Sequence, residues 1–316
     1  MNLLVVGSVA LDTIETPFAK ASETPGGSAL YISISASYFT RSIGLVGVVG
    51  DDFPKDVIED LRSRGIDLKG LQIVDGGKTF RWGGRYHYDM NTRETLFTHL
   101  NVFSNFNPTI PSEFKSSKYV CLGNIDPVLQ MEVLKQVESP KLVIADTMNF
   151  WIERKYGELL ETLKHVNVLI VNDAEARQIA MEPNLIKAGK KILKLGPDVV
   201  IIKKGEHGAV LIIDGTIFTA PAYPIESIQD PTGAGDSFAG GFAGWIAKTD
   251  DISEENLRRA VIYGSTIASF CVEDFGINKI KNLSWDKIQE RFMAFRELMR
   301  FEEQGQCYQG KHTCLI

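Results

Sequence analysis

Cysteine and long apolar runs are both scarce in this sequence. Only four of the 316 residues are cysteines, and none stands in a CxxC spacing, which excludes the common zinc sites and disulfide frameworks. Cys121 and Cys271 lie in apolar runs and are predicted to be buried thiols, whereas no role is predicted for Cys307 and Cys314. The first apolar run, "NLLVVGSVAL", is too short for a membrane span and lacks a basic flank. We therefore expect a cytoplasmic protein without a membrane partner.

The sequence also lacks an excess of positive charge. Its net charge is -6 at neutral pH, and no basic run is long enough to follow a phosphate backbone, so we expect no nucleic-acid partner. With 44% hydrophobic and 23% charged residues, the composition is typical of a globular protein rather than a disordered one. No internal repeat or interdomain linker is visible, and we predict a single domain over residues 1–316.

Strand-like apolar runs alternate with helical patterns along most of the chain. Runs such as "VNVLIVND" suit parallel strands that are buried on both faces. The predicted strands cover residues 2–9, 42–50, 119–124, 141–147, 166–172, 198–204 and 208–214. In the helical stretch "DDFPKDVIEDLRSRG", Asp52 is the predicted N-cap and Gly65 the predicted stop. This alternation predicts an α/β fold with a doubly wound, mostly parallel sheet and helices on both of its faces.

Two stretches, at about 13–25 and about 76–103, break the α/β pattern. The first is short and polar, and the second alternates aromatic or β-branched residues with polar ones, as exposed antiparallel strands do. Both fit a small sheet that protrudes from the main layer and could serve as a lid. A solvated sheet face, rather than a substrate-facing one, is predicted for Arg81, Arg85, Tyr86 and His87. Trp82 and Phe80 make one face partly apolar, which leaves open a substrate-facing wall or a homodimer through the lid.

The stretch "DPTGAGDSFAGGF", residues 230–242, is the strongest phosphate-site candidate. A Walker loop is excluded because the "GGKT" at 76–79 lacks the required upstream glycine, and the dinucleotide fingerprint is excluded because the first strand–helix turn has one glycine. In "GAGD", Gly233 and Gly235 permit a tight turn into a helix. The amides of residues 233–236, including that of Ala234, would then form an anion hole for a transferring phosphoryl group.

Asp236 lies beside this predicted anion hole. A carboxylate there could accept a proton from an attacking hydroxyl, provided that it faces the acceptor while the amides face the donor. The alternative is structural: Asp236 would favour the helix N-terminus, and the glycines would permit close helix packing. The residues of this motif alone leave both interpretations open.

The motif resembles the C-terminal signature of the ribokinase-like, PfkB-type carbohydrate kinases, and further landmarks follow in the family's order across nearly the whole chain. These landmarks are "GSVALD", "PGGSALYISISAS", "VGVVGDD", "NDAE" and "KKGEHG". The resemblance implies ATP as the phosphoryl donor, Asp236 as the general base, and Mg²⁺ held through waters near Asn172 and Glu175. It also implies an acceptor site with Asp12, Gly26, Gly27 and Tyr31. On the nucleotide side it implies Lys203, Gly205, Gly208 and Ser265.

The resemblance leaves the acceptor open. Tyr31 stands where many sugar kinases of the family have Asn, so its ring would narrow the pocket or stack on a base. We expect an ATP-dependent kinase that phosphorylates a hydroxyl of a small sugar or polyol. A nucleoside (adenosine-type) or cyclitol kinase is the alternative, and a catalytically silent sugar-binding regulator is a further one. Asp230 and Thr232 match positions that hold a monovalent cation in some members, which makes such a cation a further candidate.

Overall fold

The computed structural model describes residues 1–300, and its main sheet is built from the predicted apolar runs. Seven neighbouring strands, from β11 to β5, run parallel, and β12 and β13 follow antiparallel at one edge. In order across the sheet, the strands are β13 (Thr216–Ala220), β12 (Ala209–Ile213), β11 (Val199–Lys203), β10 (Val168–Asn172), β9 (Leu142–Asp146), β8 (Tyr119–Leu122), β1 (Leu3–Val6), β4 (Ile43–Gly50) and β5 (Ile66–Val74). The predicted doubly wound sheet is thereby confirmed. Cys307 and Cys314 lie outside the described residues, so the single-domain prediction over 1–316 stays a prediction.

Helices cover both faces of this sheet. Alternate side chains of a central strand belong to separate clusters: Leu3 and Val5 pack into one core with α1 and α9, and Leu4 and Val6 pack into another on the opposite face. The helices are α1 (Ser28–Ala36), α2 (Lys55–Ser63), α3 (Ser112–Lys115), α4 (Pro127–Leu134), α5 (Asn149–Arg154), α6 (Tyr156–Leu163), α7 (Asp173–Ala180), α8 (Leu185–Leu193), α9 (Ala234–Thr249), α10 (Glu254–Cys271) and α11 (Trp285–Leu298). Within residues 1–300, no helix has the length and apolar character that a bilayer crossing requires.

The start of α2 differs from the prediction. Pro54 occupies the N-cap position, and no side chain caps the helix. Asp52 instead accepts hydrogen bonds from the amide and the hydroxyl of Thr79, at 2.8 and 2.6 Å. This carboxylate therefore ties the loop after β4 to the segment that enters the lid. The predicted stop is confirmed, because Gly65 follows the last turn with φ of 81°.

The two irregular stretches form a separate four-stranded sheet, called the lid here. Its strands, in order, are β3 (Lys20–Gly26), β2 (Ala10–Glu15), β6 (Phe80–Tyr86) and β7 (Arg93–His99). The prediction of antiparallel strands is only partly right: β2 pairs with β3, and β6 with β7, in antiparallel register, but β2 and β6 are parallel. A parallel pair arises because the two hairpins come from distant parts of the chain. The first lid strand also starts at Ala10, before the predicted boundary.

Strand order reverses at β1, which lies between β8 and β4. Open α/β sheets bind ligands beyond the carboxyl ends of strands at such a point. Ser28, at the start of α1, fills the reversal: a Cβ on Gly7 or on Gly123 would stand 2.5 or 2.6 Å from its Oγ. The glycines after β1 and β8 thus let α1 begin directly against the sheet edge, beside the lid.

Candidate active site

The candidate site is centred on the N-terminus of α9. Gly233 is its N-cap, with φ of 76°, a conformation that favours glycine. The amide of Ala234 donates to the carbonyl of Pro231 at 3.3 Å, so this member of the predicted anion hole already has an acceptor. First-turn amides have no acceptor within their own helix, and those of Gly235 and Asp236 remain available for an anion.

The structural interpretation of the glycines holds for another part of the same helix. A Cβ on Gly240 would stand 2.5 Å from the carbonyl oxygen of Ile32, and one on Gly241 3.0 Å from Cα of Gly264. These glycines let α9 pack closely against α1 and α10. Gly235 differs, because its Cβ would stand 2.7 Å from the Lys203 ammonium nitrogen. Gly240 and Gly241 of the motif therefore permit helix packing, whereas Gly235 permits the Lys203 ammonium group to approach the backbone of α9.

Acids and bases converge on this helix end from the carboxyl ends of neighbouring parallel strands. Lys203 ends β11, and its Nζ lies 3.8 Å from Oδ2 of Asp146, which ends β9. Glu175 lies in the first turn of α7, directly after β10, and is buried. Sequence reasoning missed Asp146, although it predicted the strand over residues 141–147 that contains this acid.

The proton affinities of these groups are shifted. Burial and the neighbouring charge of Asp146 raise the pKa of Asp236 to about 7 and that of Glu175 to about 7, although Lys203 opposes both shifts. Burial also raises the pKa of Asp146. For Lys203, burial alone would lower the pKa, but Asp146, Glu175 and Asp236 outweigh it and raise the pKa. The site thus holds a permanent cation among carboxyls that are poised to exchange protons near neutral pH.

Asn172 and Glu175 form a reciprocal capping box at the start of α7. The Asn172 side chain accepts from the amide of Glu175, and the Glu175 carboxylate accepts from the amide of Asn172, both at 2.8 Å. Both residues therefore have a structural role in the N-terminal cap of α7. It occupies the Asn172 side-chain oxygen and Oε2 of Glu175, which leaves Oε1 for a further contact.

The oxygen donors here suit Mg²⁺, which keeps several waters and takes few protein ligands. Among residues 1–300, no three His, Cys, Asp or Glu side chains converge closely enough to enclose a metal ion directly. A water-mediated ion beside Glu175 and Asp146 is consistent with that spacing. Burial raises the pKa of each of these acids because it disfavours the ionised carboxylate, and a nearby Mg²⁺ would stabilise that ionised form.

Asp12, which is predicted to bind the acceptor, lies where the lid meets the main sheet. It lies on β2 and is 5% exposed, and a Cβ on Gly26 would stand 2.1 Å from its Oδ2. Burial raises the pKa of Asp12 to about 8, reinforced by Asp230 and Asp236 and opposed by the backbone of Gly27. Gly26 therefore leaves room for this carboxyl, and Gly27 leaves room for the backbone of Ser8.

Tyr31 lies in α1 and is 1% exposed. Its ring covers the anion-hole loop from the buried side, since a Cβ on Gly233 would stand 2.3 Å from its Cζ. Its hydroxyl has no hydrogen-bond partner among the described residues. This burial argues against a ring that stacks on a base, so substrate binding by Tyr31 stays a prediction that depends on its hydroxyl.

The inner face of the lid packs onto the main layer. Ile14, Tyr86 and Met90 form a buried cluster, against which Trp82, Ile228 and Phe275 also pack. The prediction of a solvated face is therefore wrong for Tyr86, which points inward. It holds for Arg85, which pairs with Glu15, and His87 faces Glu94 at 3.1 Å. Arg81 pairs with Glu23 and Asp52.

Arg93, in the first position of β7, is a site residue that sequence reasoning missed. Its guanidinium lies 5.4 Å from the centre of the Trp82 ring. Although Arg93 as a whole is exposed, desolvation of its guanidinium acts to lower its pKa, and Tyr86, Glu175 and Asp236 outweigh this and raise the pKa. The charge of Arg93 in turn lowers the pKa of Asp146. The lid therefore brings a second cation to the cluster that Lys203 occupies from the sheet.

The predicted nucleotide-side turn faces the tip of the lid. Gly205 has φ of 54°, and a Cβ on it would stand 2.5 Å from Oδ1 of Asn91 in the β6–β7 turn. Gly208 has φ of 82°, and its Cβ would meet the carbonyl oxygen of Ala220 at 2.0 Å. Ser265 lies in α10 and is 8% exposed. Nucleotide binding by Gly205, Gly208 and Ser265 stays a prediction.

The candidate cation residues are engaged in protein hydrogen bonds. Asp230 accepts from the amide of Thr232 at 2.8 Å and from the amide of Gly276 at 3.0 Å. The carbonyl of Thr232 accepts from the Cys271 thiol at 3.5 Å. A monovalent cation at this place stays a prediction.

An acid beside open helix amides, with cations supplied by both the sheet and a lid, is the arrangement of a phosphotransferase that acts on a small alcohol. The chain belongs to the pfkB family carbohydrate kinases, whose profile matches residues 2–282. It is thus an ATP-dependent kinase of the sugar and nucleoside class with the ribokinase-like fold.

Relatives and solved structures agree with this assignment. Cytidine kinase of Thermococcus kodakarensis is 31% identical over 260 residues, which cover 80% of this chain and 91% of the relative. Nucleoside kinase of Methanocaldococcus jannaschii is 26% identical over 274 residues, which cover 86% of each chain. The nucleoside kinase structure from Burkholderia thailandensis superposes with a TM-score of 0.75 at 20% identity, covering 92% of this chain and 97% of the other, and so shows the shared fold.

Proposed function

We propose that this enzyme transfers the γ-phosphoryl group of ATP to a hydroxyl of a nucleoside. The observation that carries the proposal is the register of the lid, in which Asp12 pairs with Trp82 across the parallel strands β2 and β6. Paired residues point to the same face of a sheet. A diol-binding carboxylate and a broad aromatic surface therefore lie side by side, which suits a ribose joined to a base. The similarity to a cytidine kinase supports the same acceptor class.

The Trp82 ring lies against the strand because the neighbouring Gly84 has no side chain. A Cβ on Gly84 would stand 2.1 Å from its Cη2, so only a glycine lets the indole lie across the strand. On the opposite face, a Cβ on Gly83 would stand 2.4 Å from Cε1 of Phe97. The pair of glycines accommodates an aromatic ring on each face of the lid, and the inner ring offers a stacking surface. Gly26 lets the Asp12 carboxyl lie against the backbone at the end of β3.

In the proposed reaction, Asp236 accepts the proton of the acceptor hydroxyl. The oxygen forms a bond to the γ-phosphorus, the bond to the β–γ bridging oxygen breaks, and ADP leaves with that electron pair. The amides of Gly235 and Asp236, with Lys203 and Arg93, stabilise the charge on the equatorial oxygens. The pKa of Asp236, about 7, suits a base that must be ionised at neutral pH.

On the donor side, Lys203 and the turn with Gly205 and Gly208 are the residues proposed to bind ATP. Glu175 and Asp146 are proposed to hold Mg²⁺ through waters, with Asn172 fixing Glu175 through the capping box. Bound Mg²⁺ would neutralise part of the triphosphate charge. The residues of the chain itself bind and orient the two substrates and deprotonate the acceptor hydroxyl.

A panel of nucleosides, sugars and cyclitols, each with ATP and Mg²⁺, tests the proposal through ADP release and analysis of the phosphorylated product. We expect a nucleoside to give the highest kcat/KM. The variants Trp82→Leu and Asp12→Asn separate the two halves of the acceptor: the first should raise KM for the nucleoside and leave turnover of free ribose unchanged, and the second should impair both.

Preference for a free sugar or a cyclitol would contradict the nucleoside assignment and favour the second candidate, a sugar or polyol kinase, for which the Asp12 carboxylate alone suffices. Thermal stabilisation by a sugar without ADP formation would instead identify a silent regulator. Equal kcat/KM of Trp82→Leu and wild type for the nucleoside would also contradict the stacking surface.

A further inference from the structure

Tyr86 connects the lid to the loop that precedes α9. It is the last residue of β6, and its side chain is 5% exposed. The hydroxyl of Thr232 donates a hydrogen bond to its phenolic oxygen at 3.1 Å. Thr232 immediately precedes Gly233, the N-cap of α9. One hydrogen bond therefore joins the lid to the backbone that presents the anion-hole amides.

The same phenolic oxygen has a second partner within the lid. Tyr86 and Arg93 are register partners at the ends of β6 and β7. The Arg93 guanidinium interacts with the Tyr86 phenol, and this interaction adds to the positive charge that Arg93 brings to the site. Burial raises the pKa of Tyr86, whereas Arg93 and Thr232 both act to lower it, as hydrogen-bond donors to an oxygen do.

The backbone of Thr232 is held by residues outside the lid. Its amide is held by Asp230, and its carbonyl accepts from Cys271. Asp230 is itself fixed by the amide of Gly276. The loop is thus anchored to the main layer from below, and Tyr86 is the contact that fixes it from the lid.

We propose that Tyr86 is a positioning residue that aligns Arg93 with the amides of Gly235 and Asp236 when the lid is closed. This inference rests on the proposed function, which assigns the charge stabilisation to those groups. The phenol accepts from Thr232 and stands beside its register partner Arg93, so it links the lid cation to the loop that presents the helix amides. Opening of the lid breaks the bond to Thr232, so the two halves of the charge-stabilising site separate.

A purely structural role for the Tyr86 hydroxyl has a different signature. It would satisfy a buried polar group, and its loss would lower the free energy of unfolding without altering turnover of the folded enzyme. A positioning role affects the transition state, so its loss lowers kcat and leaves KM nearly constant. Tyr86→Phe keeps the ring in its apolar cluster and removes only the oxygen.

The test compares Tyr86→Phe, Thr232→Val and the double variant with wild type, using Thr232→Ser as the matched control that keeps the hydroxyl. We expect each single variant to lower kcat about tenfold, KM for ATP and acceptor to stay within twofold, and Thr232→Ser to resemble wild type. The double variant should match Tyr86→Phe, because both changes remove the same hydrogen bond. Folded variants with wild-type kcat, or losses that multiply in the double variant, would overturn the inference.

A second measurement does not depend on the identity of the acceptor. ADP with aluminium fluoride and Mg²⁺ mimics the transferring phosphoryl group, and its affinity can be measured by calorimetry. We expect Tyr86→Phe to bind this complex about tenfold more weakly than wild type and to bind ADP alone equally well. Equal affinity for the complex would overturn the inference, and a wild-type protein that binds no ADP would overturn the proposed donor site together with it.

Discussion

The ring of Tyr31 lies directly beneath Gly233, so close that a Cβ on Gly233 would stand 2.3 Å from its Cζ. The backbone that presents the proposed anion-hole amides thus rests on a buried aromatic ring. Gly233 is held from below by this contact as well as by its positive φ. The two constraints can be separated experimentally, because another glycine in the chain has only the second.

Gly233→Ala is expected to lower kcat by about 10²-fold, since the added methyl group would displace the loop from the ring and move the amides that stabilise charge. Gly215→Ala is the matched control: Gly215 has φ of 78°, and a Cβ there would meet no atom within 4 Å. Both variants should lose about 1–2 kcal/mol of stability from the left-handed conformation, and only the first should lose activity. Steady-state kinetics and thermal unfolding of both variants check this, and equal kcat values would contradict it.

Asp236→Asn tests the general base. We expect kcat to fall by about 10²–10⁴-fold, the usual contribution of such a group, while the affinity for ATP changes little. For wild type, kcat/KM should rise with pH through about 7, the pKa of Asp236, because the free enzyme must lose this proton. Asp214→Asn, in the exposed turn between β12 and β13, is the control. Unchanged turnover of Asp236→Asn would exclude the mechanism.

Arg93→Gln tests the lid cation. Loss of a positioned donor at a developing charge is expected to lower kcat by about 10²–10³-fold. Arg85→Gln removes an arginine from the other face of the same lid, where it pairs with Glu15, and should stay within twofold of wild type. Similar losses in the two variants would indicate a general effect on the lid rather than a role for Arg93 in transfer.

Asp12 makes stability depend on pH in a direction that the structure defines. Its pKa is raised from 3.8 to about 8, so between these values the native state keeps a proton that the unfolded chain has lost. The native state then binds more protons, and the free energy of unfolding falls as pH rises across this window. Each tenfold change in proton affinity corresponds to about 1.4 kcal/mol.

Asp12→Asn removes this pH-dependent contribution to the free energy of unfolding. We expect it to stabilise the protein without substrates by about 1–3 kcal/mol more at pH 8 than at pH 5, on the same linkage argument. Denaturant unfolding at both pH values measures the difference, with Asp214→Asn as the control. A difference between Asp12→Asn and wild type that is the same at pH 5 and pH 8 would contradict the shift.

The sheet was predictable because parallel strands buried on both faces are continuous apolar runs, and the loop before α9 because its glycines and acid have distinct chemical uses. Asp146 was within reach of the same reasoning. It ends a parallel strand, as Lys203 does, and the carboxyl ends of parallel strands meet at one edge.

Arg93 and Tyr86 were beyond sequence reasoning for a physical reason. Which side of a lid strand faces the site depends on register, and β6 and β7 shift register between Gly83 and Gly84. The parallel pairing of β2 with β6 depends likewise on contacts between segments far apart in the chain. The capping role of Asp52 was displaced by a tertiary contact, because Thr79 offers its carboxylate both an amide and a hydroxyl.

The lid reaches from Asp12 to Asn91, which lies against Gly205 in the proposed nucleotide-binding turn. If the four-stranded lid moves as one unit, its opening uncovers both ends of the cleft together. In the proposed reaction, release of both products, the phosphorylated alcohol and ADP, requires the same opening of the lid. The rate of lid opening would then limit kcat, and a more viscous medium would lower kcat even if the rate of phosphoryl transfer were unchanged.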